Sequence, residues 1–203
     1  MAKDIYAVAS WLIKNGYSGK HIAIIGSTSY YWVTAFLGIL CSANIAVPVD
    51  KMLSSKEMLN ILVMGDVDTV FVSEEFAHLS EPIKQSNSQI TKVICFADEC
   101  FDEILRTEEV SLPNIDPEVM AEILFTSGTT GVRKGVMLSS ANLIANVTYP
   151  EIELDSDDVY LSVLPMHHIF CFSCDYFKPL LDGLTVCLNG DMANIGRNLA
   201  AFQ

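Results

Sequence analysis

The sequence predicts an α/β fold of mostly parallel sheets flanked by helices. Three observations predict it. Short apolar runs of strand length alternate with helix-period stretches, the order that βαβ units impose. The runs are apolar throughout rather than alternately polar, which suits a sheet covered on both faces. Hydrophobic residues make up 51% of the 203 and charged residues 18%, enough apolar surface for such a core. The length fits one large domain or two small ones.

Taken in order, residues 3–15 read as an amphipathic helix and HIAIIG, residues 21–26, as a strand. GSTS then marks a strand-to-helix turn. A helix over residues 30–42 leads to the strand IAVPV, residues 45–49. SSKEMLNILVMGD carries Ser54 and, three residues on, Glu57, a capping box that starts a helix. TVFVS (69–73) is a strand, residues 74–85 are weakly helical, KVICF (92–96) is a strand and DECFDEILR (98–106) a short helix. Residues 107–118 are polar and acidic and contain Pro113 and Pro117, so they read as a surface connection. It divides the chain into a first α/β portion, residues 1–106, and a second, residues 119–203. The second opens with the strand AEILFT (121–126), passes through a loop and continues as the strand KGVMLS (134–139). A helix follows in SSANLIANVTY, capped by Ser139 or Ser140. VYLSVLP (159–165) is a strand, the stretch after His167 is helical, and LTVCLN (184–189) is a last strand before a terminal helix.

A formal net charge of −13 argues against nucleic acid as a main partner, and less strongly against anionic membrane surfaces. Arg133-Lys134 is the local basic site. Residues 22–49 carry no charge and are long enough to cross a bilayer, but Asn44 and Pro48 interrupt them. We read them as a buried helix and a buried strand and expect no transmembrane segment. The N-terminal residues do not form a charged leader, an apolar run and a small-residue cleavage site, so no signal peptide is expected. Six cysteines without such a signal point to a reducing compartment and a cytoplasmic protein. His167, Cys171 and Cys174 stand at i, i+4 and i+7, a spacing zinc sites use. Phe170, Phe172 and Phe177 crowd the same stretch as in a core helix, so we expect inert buried thiols and assign no metal site.

The sequence TSGTTGVRKG offers four hydroxyls (Thr126, Ser127, Thr129, Thr130), three glycines (Gly128, Gly131, Gly135) and Lys134. Glycine lets backbone N–H groups approach an anion closely, hydroxyls donate to phosphate oxygens, and the ammonium adds a mobile charge. A plain hairpin turn would account for the glycines but not for four hydroxyls beside Arg-Lys. The loop is not a Walker A loop. There Gly precedes Lys, Ser or Thr follows it, and a helix begins at once. Here Arg133 precedes Lys134, Gly135 follows, and strand-like VMLS comes next. The loop therefore joins two strands, and backbone amides and hydroxyls hold the phosphates.

TSGTTGVRKGVMLS closely resembles the signature loop of the AMP-forming adenylate ligases, which include acyl-CoA synthetases, firefly luciferase and peptide-synthetase adenylation domains. HIAIIGSTSYYWVTAFLGILCSANIAVPVD resembles that family's N-terminal region, which ends in L-x-A-G-x-x-x-V-P-x-D; here Ser42 and Ala43 stand where alanine and glycine are usual. SVLPMHHIF resembles the next family motif, Leu-Pro-x-x-His, and places His168 at the motif histidine; the doubled histidine is most similar to the long-chain fatty-acid–CoA ligase branch. The resemblance runs from about residue 21 to the end. It implies that the chain is part of the N-terminal domain of an adenylate-forming enzyme.

In that family a carboxylic acid attacks the α-phosphate of ATP, giving an acyl-adenylate and pyrophosphate, and coenzyme A then takes the acyl group. The resemblance implies that Thr126, Ser127, Gly128, Thr129, Thr130, Gly131 and Lys134 bind the β- and γ-phosphates. Lys134 would be the catalytic cation. Arg133 would face solvent. His168 would be a movable wall between the acid and the thiol's route. Ser127 is not a nucleophile, since no Gly-x-Ser-x-Gly elbow surrounds it and adenylation needs none. The family's Tyr-Gly-x-Thr-Glu segment for adenine and Mg2+, its Thr-Gly-Asp segment for ribose and its C-terminal domain with a catalytic lysine do not follow. The expectation is an N-terminal fragment whose Mg2+ site is incomplete and which is inactive alone. The alternative is a non-catalytic module that binds nucleotide, pyrophosphate or a partner chain.

Overall fold

The structure is a computed structural model that describes residues 1–126, 133–148, 158–190 and 195–200. Helices α1 (Ala2–Lys14), α2 (Tyr30–Cys41), α3 (Ser55–Met64), α4 (Ser80–Ser86) and α5 (Glu99–Leu105) alternate with strands β1 (His21–Ile25), β2 (Ile45–Val49), β3 (Thr69–Val72) and β4 (Lys92–Cys95). The weakly helical stretch 74–85 divides into a 3₁₀ turn, Glu74–Leu79, and α4. Strands β5 (Met120–Thr126) and β6 (Lys134–Ser139) follow, then α6 (Ser140–Thr148), β7 (Val159–Ser162), a π-helical segment (Cys171–Phe177), α7 (Lys178–Leu181), β8 (Thr185–Leu188) and α8 (Ile195–Ala200).

The main sheet has six strands in the order β4-β3-β1-β2-β5-β6, all parallel except that β6 runs antiparallel to β5. Strands β7 and β8 form a separate parallel pair. The continuous apolar strands are explained by burial on both faces. Along β1, Ile22 and Ile24 join Val8, Leu12, Phe36 and Phe101 from α1, α2 and α5, whereas Ala23 and Ile25 join Met58, Ile61, Leu62 and Ile83 from α3 and α4. No helix among the described residues is long and apolar enough to cross a membrane. The uncharged stretch 22–49 takes in most of β1 as well as α2 and β2, and all five β2 residues are buried.

Residues 107–118 contain no helix or strand and lie along α1, where the Val110 N–H donates to the buried Ser10 hydroxyl at 3.0 Å and Lys14 Nζ to the Glu108 carbonyl at 2.9 Å. Strands on both sides of this connection share the one sheet.

Local chemistry sets the helix ends. The Ser54–Glu57 capping box is present in full at the start of α3. At α6 the choice falls on Ser139: its hydroxyl accepts from the Asn142 N–H at 3.2 Å while Asn142 Oδ1 accepts from the Ser139 N–H at 3.0 Å. Helix α2 ends in a Schellman motif, with Ala43 N–H donating to Leu40 O and Asn44 N–H to Ile39 O. That motif needs a left-handed residue at Ala43, whose φ is +57°. This is the position where the resemblance puts glycine, and an L side chain there costs about 1 kcal/mol. Ala43→Gly is therefore expected to stabilise the chain by about 1 kcal/mol, read as a higher urea midpoint with an unchanged slope.

Candidate functional site

The β5–β6 hairpin carries the predicted phosphate loop. Thr126 and Lys134 are paired across the two strands and both are exposed, so the ends of the loop face each other at the mouth of the hairpin. An antiparallel strand follows the loop, as the residues after Lys134 suggested. Ser127, Gly128, Thr129, Thr130 and Gly131 lie outside the described residues. Gly135 has a packing reason of its own: a Cβ there would stand 3.2 Å from Ile123 Cγ2 and 3.3 Å from the Phe125 ring.

Arg133 does not simply face solvent. Its Nη2 lies 3.0 Å from Glu57 Oε1, and its side chain is only 24% exposed. The capping-box glutamate thus also anchors one end of the loop to α3. Hydrogen bonds from the Ser54 hydroxyl, then from Arg133, hold the Glu57 carboxyl down at about 2. The two partners stand 76 residues apart in sequence, so no local pattern around Arg133 announces the contact.

The Leu-Pro-x-x-His turn lies between β7 and the π-helical segment. His168 is exposed, with its N–H donating to Pro165 O at 3.0 Å and its carbonyl accepting from the Phe172 N–H at 3.1 Å. No hydrogen bond or ion pair among the described residues joins it to Thr126 or Lys134. His167 is half-buried, and its Nε2 lies 3.4 Å from Asp50 Oδ1 just past the end of β2. Burial lowers the pKa of His167, with Asp50 opposing and His168 and Lys51 assisting, so a neutral ring against Asp50 is favoured at neutral pH.

Sequence reasoning passed over the polar crevice beside this histidine, at the carboxyl ends of β1, β2 and β3. Lys51 Nζ donates to Ser27 Oγ at 2.7 Å, Ser27 Oγ donates to Glu75 Oε1 at 2.6 Å, and the Met166 N–H donates to Thr28 Oγ1 at 3.3 Å. Burial would raise Glu75, but hydrogen bonds from Ser27 and Ser73 outweigh it and the net shift is downward. Such crevices form where neighbouring strand connections leave toward opposite faces. The V-P-x-D segment was the available signal, because it ends on Asp50. A larger cavity of about 420 Å3 is walled by Leu37, Leu40, Leu143, Val147, Phe172 and Phe177, of which Leu40 opens the L-x-A-G-x-x-x-V-P-x-D segment.

His167, Cys171 and Cys174 do not converge. His167 faces Asp50, the Cys171 thiol donates to Leu164 O at 2.8 Å, and Cys174 Sγ lies 3.8 Å from Ser173 Oγ. Burial, with Asp175 beside it, pushes the Cys171 thiol up to about 12, which leaves it an S–H donor.

The family profile of AMP-binding enzymes matches residues 1–200. The chain belongs to the AMP-binding enzyme family. Within that family it is 29% identical over 192 residues to 3-[(3aS,4S,7aS)-7a-methyl-1,5-dioxo-octahydro-1H-inden-4-yl]propanoyl:CoA ligase of Rhodococcus jostii (strain RHA1), covering 83% of this chain and 37% of that protein. It is 30% identical over 167 residues to the crotonobetaine/carnitine–CoA ligase of Salmonella paratyphi A (strain ATCC 9150 / SARB42), covering 75% of this chain and 32% of that one. The chain thus spans about a third of the length of these curated relatives. Among solved structures, the inhibitor-bound N-terminal domain of FACL13 from Mycobacterium tuberculosis superposes with a TM-score of 0.84 at 22% identity, over 98% of this chain and 52% of that one. The anthranilate CoA ligase AuaEII in complex with anthranoyl-AMP superposes at 0.85 and 20% identity, over 98% of this chain and 40% of that one. This AMP-binding family member therefore has the fold of such N-terminal domains.

Proposed function

We propose that this chain supplies the ATP-phosphate loop of an AMP-forming acid–thiol ligase. The complete enzyme joins a carboxylic acid, of the fatty-acid class, to the α-phosphate of ATP and then passes the acyl group to coenzyme A. The observation that carries this reading is the antiparallel hairpin that sets exposed Thr126 opposite exposed Lys134 in a chain of the AMP-binding family. In it Thr126, Ser127, Thr129 and Thr130 donate hydroxyls, Gly128 and Gly131 admit the backbone, and Lys134 sets its charge against the negative charge growing on the departing pyrophosphate. His168 stands as the wall between acid and thiol. The His167-His168 pair supports a fatty acid; relatives that join other acids to coenzyme A support the thiol step rather than the identity of the acid.

Mg2+ would accompany the nucleotide's phosphates, and its protein site is incomplete in this chain. Residues 1–106, 107–118 and 119–203 are read as one partial N-terminal AMP-binding domain that holds phosphate without completing adenylation on its own. Free cysteines, of which Cys95 and Cys171 are buried, fit a reducing compartment, and we place the protein in the cytoplasm.

Calorimetric titration of the chain with pyrophosphate tests the loop. Lys134→Ala is expected to weaken binding about ten-fold or more, the loss of one charge-assisted contact. Equal affinity in the two proteins would remove Lys134 from the site.

A further inference from the structure

We propose that Asp175 is the positioning residue of the Leu-Pro-x-x-His turn: it ties the end of β7 to the helix that follows and so sets where His168 stands. The inference rests on reading His168 as the motif histidine of a ligase.

Asp175 lies in the π-helical segment and is only 6% exposed. Its Oδ2 accepts from the Ser162 hydroxyl at 2.8 Å, the Val163 N–H at 2.8 Å and the Leu164 N–H at 3.1 Å. Oδ1 accepts from the Tyr160 hydroxyl at 3.2 Å. Four donors from one stretch of chain therefore converge on one buried carboxyl group. A buried carboxyl in an apolar setting is costly unless donors of this kind surround it.

The same contacts explain why β7 stops where it does. The sequence continues VYLSVLP as a strand through residue 165, yet β7 ends at Ser162. The next two N–H groups belong to Val163 and Leu164, and they turn to Asp175 instead of to a neighbouring strand. The Leu164 carbonyl is taken by the Cys171 thiol, whose sulfur also lies 3.5 Å from Asp175 Oδ2. Both polar backbone groups of Leu164 are thus held by the helix that follows the motif. From that anchor the chain has only Pro165, Met166 and His167 before His168, and Met166 is pinned in turn to Thr28. With its first residues fixed and proline restricting φ at 165, the turn has little freedom to place His168 elsewhere. A π-turn widens the helix locally and is frequent at functional sites. In this segment Cys171 and Asp175 both bond to residues 162–164.

Amide exchange and imidazole resonances of the 203-residue chain test the proposal. In Asp175→Ala the Val163 and Leu164 amides are expected to exchange at least about ten-fold faster, while those of β1 keep their wild-type rates. The His168 ring resonances should move toward those of a free imidazole, with His21 and His78 unchanged. Asp175→Asn keeps one acceptor oxygen but loses the charge, so it is expected to recover only part of the protection and of the His168 shift, with Val163 and Leu164 still exchanging faster than in wild type. Wild-type exchange and wild-type His168 resonances in the alanine variant would overturn the proposal. If that variant fails to fold, so that His21 and His78 shift too, the asparagine variant decides. A rise in exchange confined to Val163 and Leu164 would then support the anchor, and rates identical to wild type throughout would overturn it. None of these readouts depends on pyrophosphate binding, so a failed Lys134→Ala experiment would remove Lys134 from the phosphate site without touching the Asp175 anchor.

Discussion

Glu122→Gln is expected to abolish a large loss of stability that the wild-type chain suffers between acid and mildly alkaline pH. Glu122 lies in β5, paired to Ala46 on β2 and to Leu138 on β6, and is 1% exposed. Its Oε2 has no hydrogen-bond partner among the described residues. Burial alone pushes its pKa from the ordinary 4.5 to about 8. A carboxyl whose folded value lies above its unfolded value binds its proton more tightly when folded. Its stabilising share is complete below about pH 4.5, shrinks as the unfolded chain ionises, and is lost as pH rises through 8. At about 1.4 kcal/mol per unit the whole effect is about 5 kcal/mol, of which about 3 kcal/mol falls between pH 5.5 and pH 8.5. Glutamine does not ionise, so its own burial cost stays constant over the window. Urea unfolding near those two pH values should show the gap between the proteins widening in favour of the variant. Parallel curves would mean that the carboxyl finds a partner in solution.

Gly38→Ala is expected to destabilise the chain by about 1–3 kcal/mol, although alanine favours a helix over glycine by about 1 kcal/mol. The new Cβ would stand 2.5 Å from Val8 Cγ1, 2.6 Å from Val8 Cβ and 3.3 Å from the Ala9 nitrogen. Those atoms sit at the root of a β-branched side chain and on the backbone of α1, so they cannot swing aside as a long side chain would. Helices α1 and α2 would have to part, and the Val8 and Phe36 cluster would open with them. Sterics outweigh propensity. A thermal melt of Gly38→Ala, and of the Gly38→Ala/Val8→Ala pair in which the crowding methyls are gone, checks this. The pair should be less unstable than the two single losses added together. A more stable Gly38→Ala would mean that the two helices do not meet at this glycine.

Most of the sheet was legible because its signals are local. Strand-length apolar runs and caps such as Ser54–Glu57 are read within a few residues, and β1 to β6 lie where those runs lie. Departures came where a distant partner intervened. VYLSVLP is shortened because Asp175 draws off the Val163 and Leu164 N–H groups. Arg133, taken as solvent-facing, is bound because Glu57 stands beside it. The i, i+4, i+7 spacing of His167, Cys171 and Cys174 suggested a shared face, and Asp50 and Leu164 pull two of the three onto different partners.

By itself the sequence determined the α/β class, the order of the elements and the family, because hydrophobic period, capping chemistry and a long signature loop are all written in neighbouring residues. Tertiary structure alone decided the left-handed Ala43, the unpartnered Oε2 of Glu122 in the sheet and the clamp of Asp175 on the histidine turn. Each depends on which atoms meet across the fold. Burial and hydrogen-bond satisfaction belong to those encounters and not to the residue types.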